Sequence, residues 1–275
     1  MRSFSRHLLI LIALLCSALA RNAAAQVATE IATGTSVPLA PGMTVQLFAV
    51  NGEASFLKAP GDQVLIEFAR TVPADIKVFM VKTTTGLTVC SVYPSTDPKK
   101  PTGCGAGGTG QLANGKVKDL SSIKFRIRVP DGVHVSAFIQ HGDLKSMDIA
   151  GNLDFYSPSG DLLIYDGGGR GTIHATIGMV GNIDVAIAKA QKGPLRRDVQ
   201  LRAPGSGRVR VVLPTTVSVS YRVGTQRPAV IDPIFAVKKV APPILIGQVG
   251  PLGESVVHLD VDTGIAAQFV MQAAK

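Results

Sequence analysis

A short glycine-led motif recurs along this chain and limits the folds it can adopt. Glycine tolerates the positive φ of a tight turn, Asp and Asn accept the same conformation, and alternating apolar and polar residues follow each copy. The pattern predicts repeated β-turn-β units. The four copies are Gly142-Asp143-Leu144, Gly160-Asp161-Leu162, Gly181-Asn182-Ile183 and Gly207-Arg208-Val209.

The spacing between these motifs favours a stacked all-β fold. Successive copies lie 18, 21 and 26 residues apart, so insertions fall at the turns. A period of about 20 residues fits one rung of a β-solenoid, in which each rung buries its inward side chains against its neighbours. A β-sandwich of comparable strands alternates in the same way and stays the alternative fold.

The first 25 residues have the pattern of a signal peptide. Arg2 and Arg6 precede the apolar run 8–15, and a run of alanines at 23–25 offers a cleavage site before Gln26. Cys16 ends the apolar run, but the large Leu15 before it disfavours a lipoprotein site. We therefore expect an exported mature chain, with a flexible lead-in at 26–36 and a single β-repeat domain over 37–275.

Composition narrows the classes of partner. Removal of the leader takes away three arginines and lowers the formal net charge from +9 to +6, which is only mildly basic. Aromatic residues make up 5% of the chain and Trp is absent, so stacking platforms for sugars or single-stranded nucleic acid lack their usual residues. We expect no nucleic-acid partner, no cofactor and no membrane-spanning segment in the mature chain.

Two cysteines remain after the leader. In an oxidising compartment, Cys90 and Cys104 are expected to form a disulfide that pins the proline-rich loop between them. Further on, four prolines within 225–243 argue against central strands there, and 256–271 reads as a closing hairpin or a final rung. We expect residues 225–275 to cap one end of the domain.

Several segments also resemble a family of exported bacterial β-repeat proteins named as adhesins. They are Asn51-Gly52, 89–94, 125–133 and the recurring Gly-Asp-hydrophobic motifs, which together extend over roughly residues 44–215. Where that family has Thr-Val-Asn-Gly-Asp, this chain has 138–143, which keeps the glycine and the aspartate. The resemblance implies a single-stranded right-handed β-solenoid and an adhesin-like role.

A set of basic residues near the third and fourth motifs suggests a binding surface. Stacked rungs would bring them together as a patch for lipopolysaccharide or another anionic envelope polymer. The alternative is that they are solvated charges which protect strand edges from aggregation. The set is Lys189, Lys192, Arg196, Arg197, Arg202, Arg208 and Arg210.

Patterns typical of catalysis or metal binding are weak. Asp143 and Asp161 occupy equivalent positions that could bind calcium as a ladder, but an Asp after a turn glycine more often bonds its own backbone. The glycine-rich run 167–171 precedes a predicted strand rather than the helix that a phosphate loop needs. Histidines 134, 141, 174 and 258 show no metal spacing and are expected at the surface or half-buried.

These observations predict a non-catalytic exported protein for envelope adhesion or scaffolding, either self-associating or bound to an envelope polymer. A β-solenoid glycan-active enzyme is the third reading. It requires Asp143, Asp161, Arg170 and Arg208 to meet in one groove.

Overall fold

The computed structural model describes residues 27–70, 76–108, 113, 121–167, 169–188, 195–235, 237–238, 243–249, 255–264 and 266–274. The leader at 1–25 lies outside these residues. The described chain is all-β, with one 3-10 turn at Ala106–Gly108 and no α-helix. No helix among the described residues has the length and apolar character needed to cross a membrane.

Nineteen strands make up the described fold. The N-terminal half contains β1 (Thr29–Glu30), β2 (Thr35–Pro38), β3 (Thr44–Lys58), β4 (Gln63–Arg70), β5 (Lys77–Lys82), β6 (Gly86–Val92), β7 (Ile123–Val129), β8 (His134–Met147) and β9 (Leu153–Ser159). The remainder contains β10 (Leu162–Asp166), β11 (Arg170–Ile187), β12 (Arg196–Ala203), β13 (Ser206–Leu213), β14 (Ser218–Gly224), β15 (Val230–Ile231), β16 (Val237–Lys238), β17 (Ile244–Val249), β18 (Val256–Thr263) and β19 (Ala266–Ala273).

The strands form two bands that share the three long strands β3, β8 and β11. The first band runs β5, β6, β3, β8, β9, β11, β12, β18, β14, β17. The second band runs β4, β7, β3, β8, β10, β11, β13, β19, β15. All pairings are parallel except those of β4, β5 and β17, which lie towards the ends.

In the middle of the molecule, stacking order follows chain order. Four passes of the chain, at 134–147, 153–166, 170–187 and 196–213, lie side by side in register. Register places Leu144, Leu162, Ile183 and Val209 in one column, and all four are fully buried. Each such side chain contributes about 1.5–3 kcal/mol of burial free energy, which favours this register over a one-residue slip.

At both ends, stacking order departs from chain order. β3 lies between the β6–β7 pass and β8, although it precedes all three in the chain. The C-terminal strands β18 and β19 lie between the β12–β13 pass and β14–β15. Within the described residues β18 and β19 do not pair with each other, so of the two alternatives predicted for 256–271 the closing hairpin is wrong. The two strands form a rung, with β14–β15 on its outer side.

The outermost strands instead come from segments that carry no repeat motif. β17 pairs antiparallel with β14, and β16 pairs with β17, so these strands cover the C-terminal side of the stack. On the N-terminal side, β1 pairs with β5 and β2 pairs with β4. The predicted flexible lead-in at 26–36 therefore contributes β1 and the start of β2, and Ile31 buries its apolar side chain there.

Both bands direct alternate side chains into one continuous apolar core. It extends from Ile31 to Met271 and includes residues of both bands on every long strand. The outward side chains of each band are consequently the surfaces that other molecules meet.

Candidate functional site

The motif glycines form a row across neighbouring strands. Gly142, Gly160, Gly181 and Gly207 have φ between 145° and 149°, and a Cβ on Gly181 would lie 1.9 Å from the carbonyl oxygen of Gly160. Only glycine fits where backbones approach this closely. The prediction of separate tight turns is corrected here, since three of the four lie inside strands β8, β11 and β13.

The residue after each of the first three glycines accepts a hydrogen bond from the backbone of the next pass. Asp143 Oδ1 accepts from Asp161 N at 2.9 Å, and Asp161 Oδ1 accepts from Asn182 N at 2.8 Å. Asn182 Oδ1 then accepts from Arg208 N at 3.1 Å. The prediction that these side chains bond their own backbone is wrong, because their oxygens hold neighbouring passes in register.

A buried ion pair joins the end of β10, in the second band, to the start of β12, in the first band. Arg197 Nε and Nη2 donate to the two carboxylate oxygens of Asp166, each at 2.8 Å, and both side chains are at most 1% exposed. The other Nη protons reach the carbonyls of Ile149, Gly151 and Arg170 at 2.9–3.0 Å. Every donor of this guanidinium is therefore satisfied.

The glycine-rich run 167–171 makes room for this arginine. A Cβ on Gly169 would lie 2.8 Å from Arg197 Nη2, and one on Gly171 would lie 2.3 Å from Asn152 Oδ1. β11 begins at Arg170, so the run opens into a strand as predicted. The run accommodates a side chain of the protein itself.

The described members of the predicted basic patch do not share one surface. Arg196 is exposed at the start of β12, and Arg202 points outward on the first band beside Asp262, at 3.6 Å. Arg208 and Arg210 lie on the second band, beside Asp184 at 3.5 Å and Gln272 at 3.0 Å. Arg197 is buried, which makes its prediction as a surface residue wrong.

The remaining members of that patch, Lys189 and Lys192, lie outside the described residues. Of the four residues of the glycan-enzyme reading, Asp143, Asp161 and Arg208 lie on the second band, while Arg170 begins β11 in the first and does not join them. Among the described residues, no group of three or more His, Cys, Asp or Glu is placed to hold a metal ion.

The disulfide is confirmed and anchors a loop on β6. Cys90 and Cys104 are bonded, Gly107 N donates to Thr88 Oγ1, and Thr102 Oγ1 donates to Tyr93 O. The hydroxyl of Tyr93 donates to Ser121 O at 2.5 Å. Burial of this phenol raises the pKa of Tyr93 to about 12.

A groove of about 1080 Å³ lined by both polar and apolar side chains lies on the outward face of β12, β18, β14 and β17. Ser220 Oγ and His258 Nδ1 are 2.5 Å apart, and Arg222 Nη1 lies 3.4 Å from Asp260 Oδ1. The lining side chains that point outward include Asp198, Gln200, Ser220, Arg222, His258 and Asp260. Asp198 and Gln200 make no side-chain hydrogen bond to another described residue, so their polar atoms are open to a ligand.

Sequence reasoning missed this groove and the Asp166–Arg197 pair. The groove depends on β18 lying between β12 and β14, a long-range arrangement that leaves no local signal. The ion pair did leave one, because the glycines at 167–171 mark a place where another group approaches the backbone closely.

Comparison with known proteins gives only distant likenesses. No family model and no curated protein matches the chain. A solved structure from Clostridium sporogenes, named provisionally as a cell adhesion protein, has 12% identity and a TM-score of 0.47, over 89% of this chain and 100% of its own. A structure from Bacteroides fragilis, provisionally an adhesin, has 12% identity and a TM-score of 0.25, over 90% and 97%. At these values the likenesses carry no argument about function.

Proposed function

We propose that this protein is an exported, non-catalytic β-repeat scaffold with an adhesin-like role at the cell envelope, in the periplasm or on the cell surface. Export is supported by the leader pattern at 1–25 and by the Cys90–Cys104 disulfide, a bond typical of oxidising compartments.

The fold we propose is a single-stranded right-handed β-solenoid, with a β-sandwich as the alternative. The parallel, in-register pairing of passes 18–26 residues apart supports it, since sandwiches are built mainly from antiparallel strands.

The functional proposal rests on the hydrogen bonds that the repeat motif makes between neighbouring passes. Asp143, Asp161 and Asn182 each give a side-chain oxygen to the backbone of the next pass. The repeated polar residues thus maintain a regular stack, and the outward faces of its two bands remain for contact with other molecules. This division suits a scaffold whose surfaces serve adhesion.

The groove on the first band supports a second candidate function, a binding module for a polar ligand. Asp198 and Asp260 outnumber Arg222 there, so the groove disfavours the anionic polymer that the sequence suggested. Hydroxyl groups of an envelope component suit this mixture of carboxylate, amide and hydroxyl side chains.

Retention of the mature chain on isolated envelope fractions tests both candidates. We expect retention that persists from low to moderate salt, because the arginines of the predicted patch that the structure describes do not share one surface. If the groove is responsible, Asp198→Asn weakens retention, whereas the matched Asp154→Asn, an exposed carboxylate on the same band outside the groove, does not.

Equal retention of both variants would assign adhesion to another part of the surface. Retention that disappears at moderate salt would revive the anionic-polymer reading, and no retention at either salt would contradict the envelope role.

A further inference from the structure

The outward face of the second band carries an apolar row. Its members lie in register on five neighbouring strands: Leu57, Met147, Tyr165, Ala186 and Val212. Met147 and Tyr165 are 50% and 49% exposed, and Leu163 adds apolar surface beside Tyr165 on β10. Contiguous apolar surface of this kind marks an interaction site on soluble proteins.

Charged residues flank the apolar row in an order that is complementary to itself. Two residues earlier on each strand, Lys145 lies on β8 and Asp184 on β11, one strand to either side of Leu163 on β10. Two residues earlier again, Glu53 lies on β3 and Arg208 on β13, two strands to either side of Asp161. Opposite charges therefore sit at equal distances from β10.

A two-fold axis parallel to β10 would superpose these positions on each other. With strands about 4.8 Å apart, it sets Lys145 against the Asp184 of a second copy and Glu53 against its Arg208. The same axis sets Tyr165 against Tyr165 and Met147 against Ala186. Among the charged residues of these rows, Asp161 meets its own copy, and its Oδ1 already accepts hydrogen bonds from Asn182. Asp143 faces the Asn182 of the second copy.

Two of these charged groups lack strong partners within the chain. Lys145 forms no ion pair with another described residue. Asp184 Oδ1 is buried and accepts no hydrogen bond among them, whereas the side chain as a whole is 22% exposed and makes only a long contact, 3.5 Å from Oδ2 to Arg208. From the apolar row and the self-complementary charges together, we infer that two copies of this chain pack face to face through the second band, about a two-fold axis along β10.

Sedimentation velocity of the mature chain over a concentration series tests this inference. The wild type is expected to dimerise reversibly. Tyr165→Glu places two carboxylates together at the axis and should weaken dimerisation by about tenfold or more. The matched Tyr156→Glu, on a 40% exposed tyrosine of the first band, should leave the dimer unchanged.

Charge exchange provides the second, independent readout. Lys145→Glu and Asp184→Lys should each weaken the dimer, and the double variant should restore it, because each new lysine then faces a new glutamate of the partner. Thermal melts verify that every variant is folded. A chain that is monomeric at all concentrations, a dimer indifferent to Tyr165→Glu, or a double variant no tighter than the single ones would overturn the inference.

Discussion

The four central passes and the two ends of the molecule are built from similar strands by different rules. Between residues 134 and 213, passes that follow one another in the chain also lie side by side. At each end one segment lies between two others that are not its neighbours in the chain: β3 at the N-terminal end and β18–β19 at the C-terminal end. The antiparallel strands β4, β5 and β17 lie towards the ends of the stack. The open end of a parallel stack exposes unpaired backbone groups and apolar core, and an added antiparallel strand covers both.

Because of this difference, the central passes and the ends should respond differently to substitutions. In the middle, stability depends on close contacts repeated from pass to pass, so one substitution disturbs two neighbours. At the ends it depends on loops and local bonds that the central passes do not share. The following predictions separate the two regions, from the largest expected effect to the smallest.

Gly181→Ala should have the largest effect. The new Cβ would lie 1.9 Å from the carbonyl oxygen of Gly160, which the stacked backbones cannot avoid. We expect a loss of more than about 4 kcal/mol in unfolding free energy, measured by urea denaturation. The control is Gly34→Ala near the N-terminus, where φ is also positive (83°) but nothing lies within 4 Å, at a cost of about 1–2 kcal/mol. Equal losses would argue against the glycine row.

Arg197→Ala should come next. It leaves the carboxylate of Asp166 buried without its partner, which costs about 3–5 kcal/mol. Arg202→Ala removes an exposed pair with Asp262 and should change the unfolding free energy by only about 0–1 kcal/mol. A small effect at Arg197 in the same urea titration would mean that the five donor contacts do not hold the passes together.

Replacing Cys90 and Cys104 by serine should have a smaller effect that stays local. Opening a loop of about 15 residues costs roughly 3 kcal/mol in the chain-entropy model. Hydrogen exchange should rise at 92–108 while amides of β8 to β13 keep their protection. Equal loss of protection in both regions would show that the N-terminal end and the central passes unfold as one unit.

Alkaline pH should produce the smallest effect, at the N-terminal end. The fold raises the pKa of Tyr93 from 10.0 to about 12 because it buries the neutral phenol. The associated stability is complete below pH 10 and is lost as pH rises towards 12. Tyr93→Phe should reduce this alkaline loss relative to wild type. An unchanged pH dependence of the unfolding free energy would contradict the assignment.

The central passes could be predicted from sequence because their information is local. The Gly-Asp-hydrophobic motif fixes which residues point inward, and a strand with the expected alternation follows each copy, in β8, β10, β11 and β13. The glycines were misread as turns between strands, since a positive φ looks the same in sequence whether the ladder continues or ends. Only a neighbouring backbone 1.9 Å from an added Cβ distinguishes the two.

The ends and the site could not be predicted in the same way. No local pattern in 256–271 predicts that these strands lie between β12–β13 and β14–β15. In the sequence, Arg197 is also indistinguishable from its basic neighbour Arg196. The prediction of Arg197 as a residue of the basic patch is wrong for that reason, because alternation along β12 turns Arg197 into the core and leaves Arg196 in solvent.

Disulfide trapping of the C-terminal segment tests the central claim that the end strands are laid between earlier ones. Gln200, Asp260 and Arg222 are outward residues in one register on β12, β18 and β14. Cysteine pairs at 200 and 260, and at 260 and 222, should cross-link within one chain. The pair at 200 and 222 should not, because two strand spacings of about 4.8 Å exceed the reach of a disulfide. Cross-linking of 200 to 222 with none to 260 would show that the strands stack in chain order and would contradict the account.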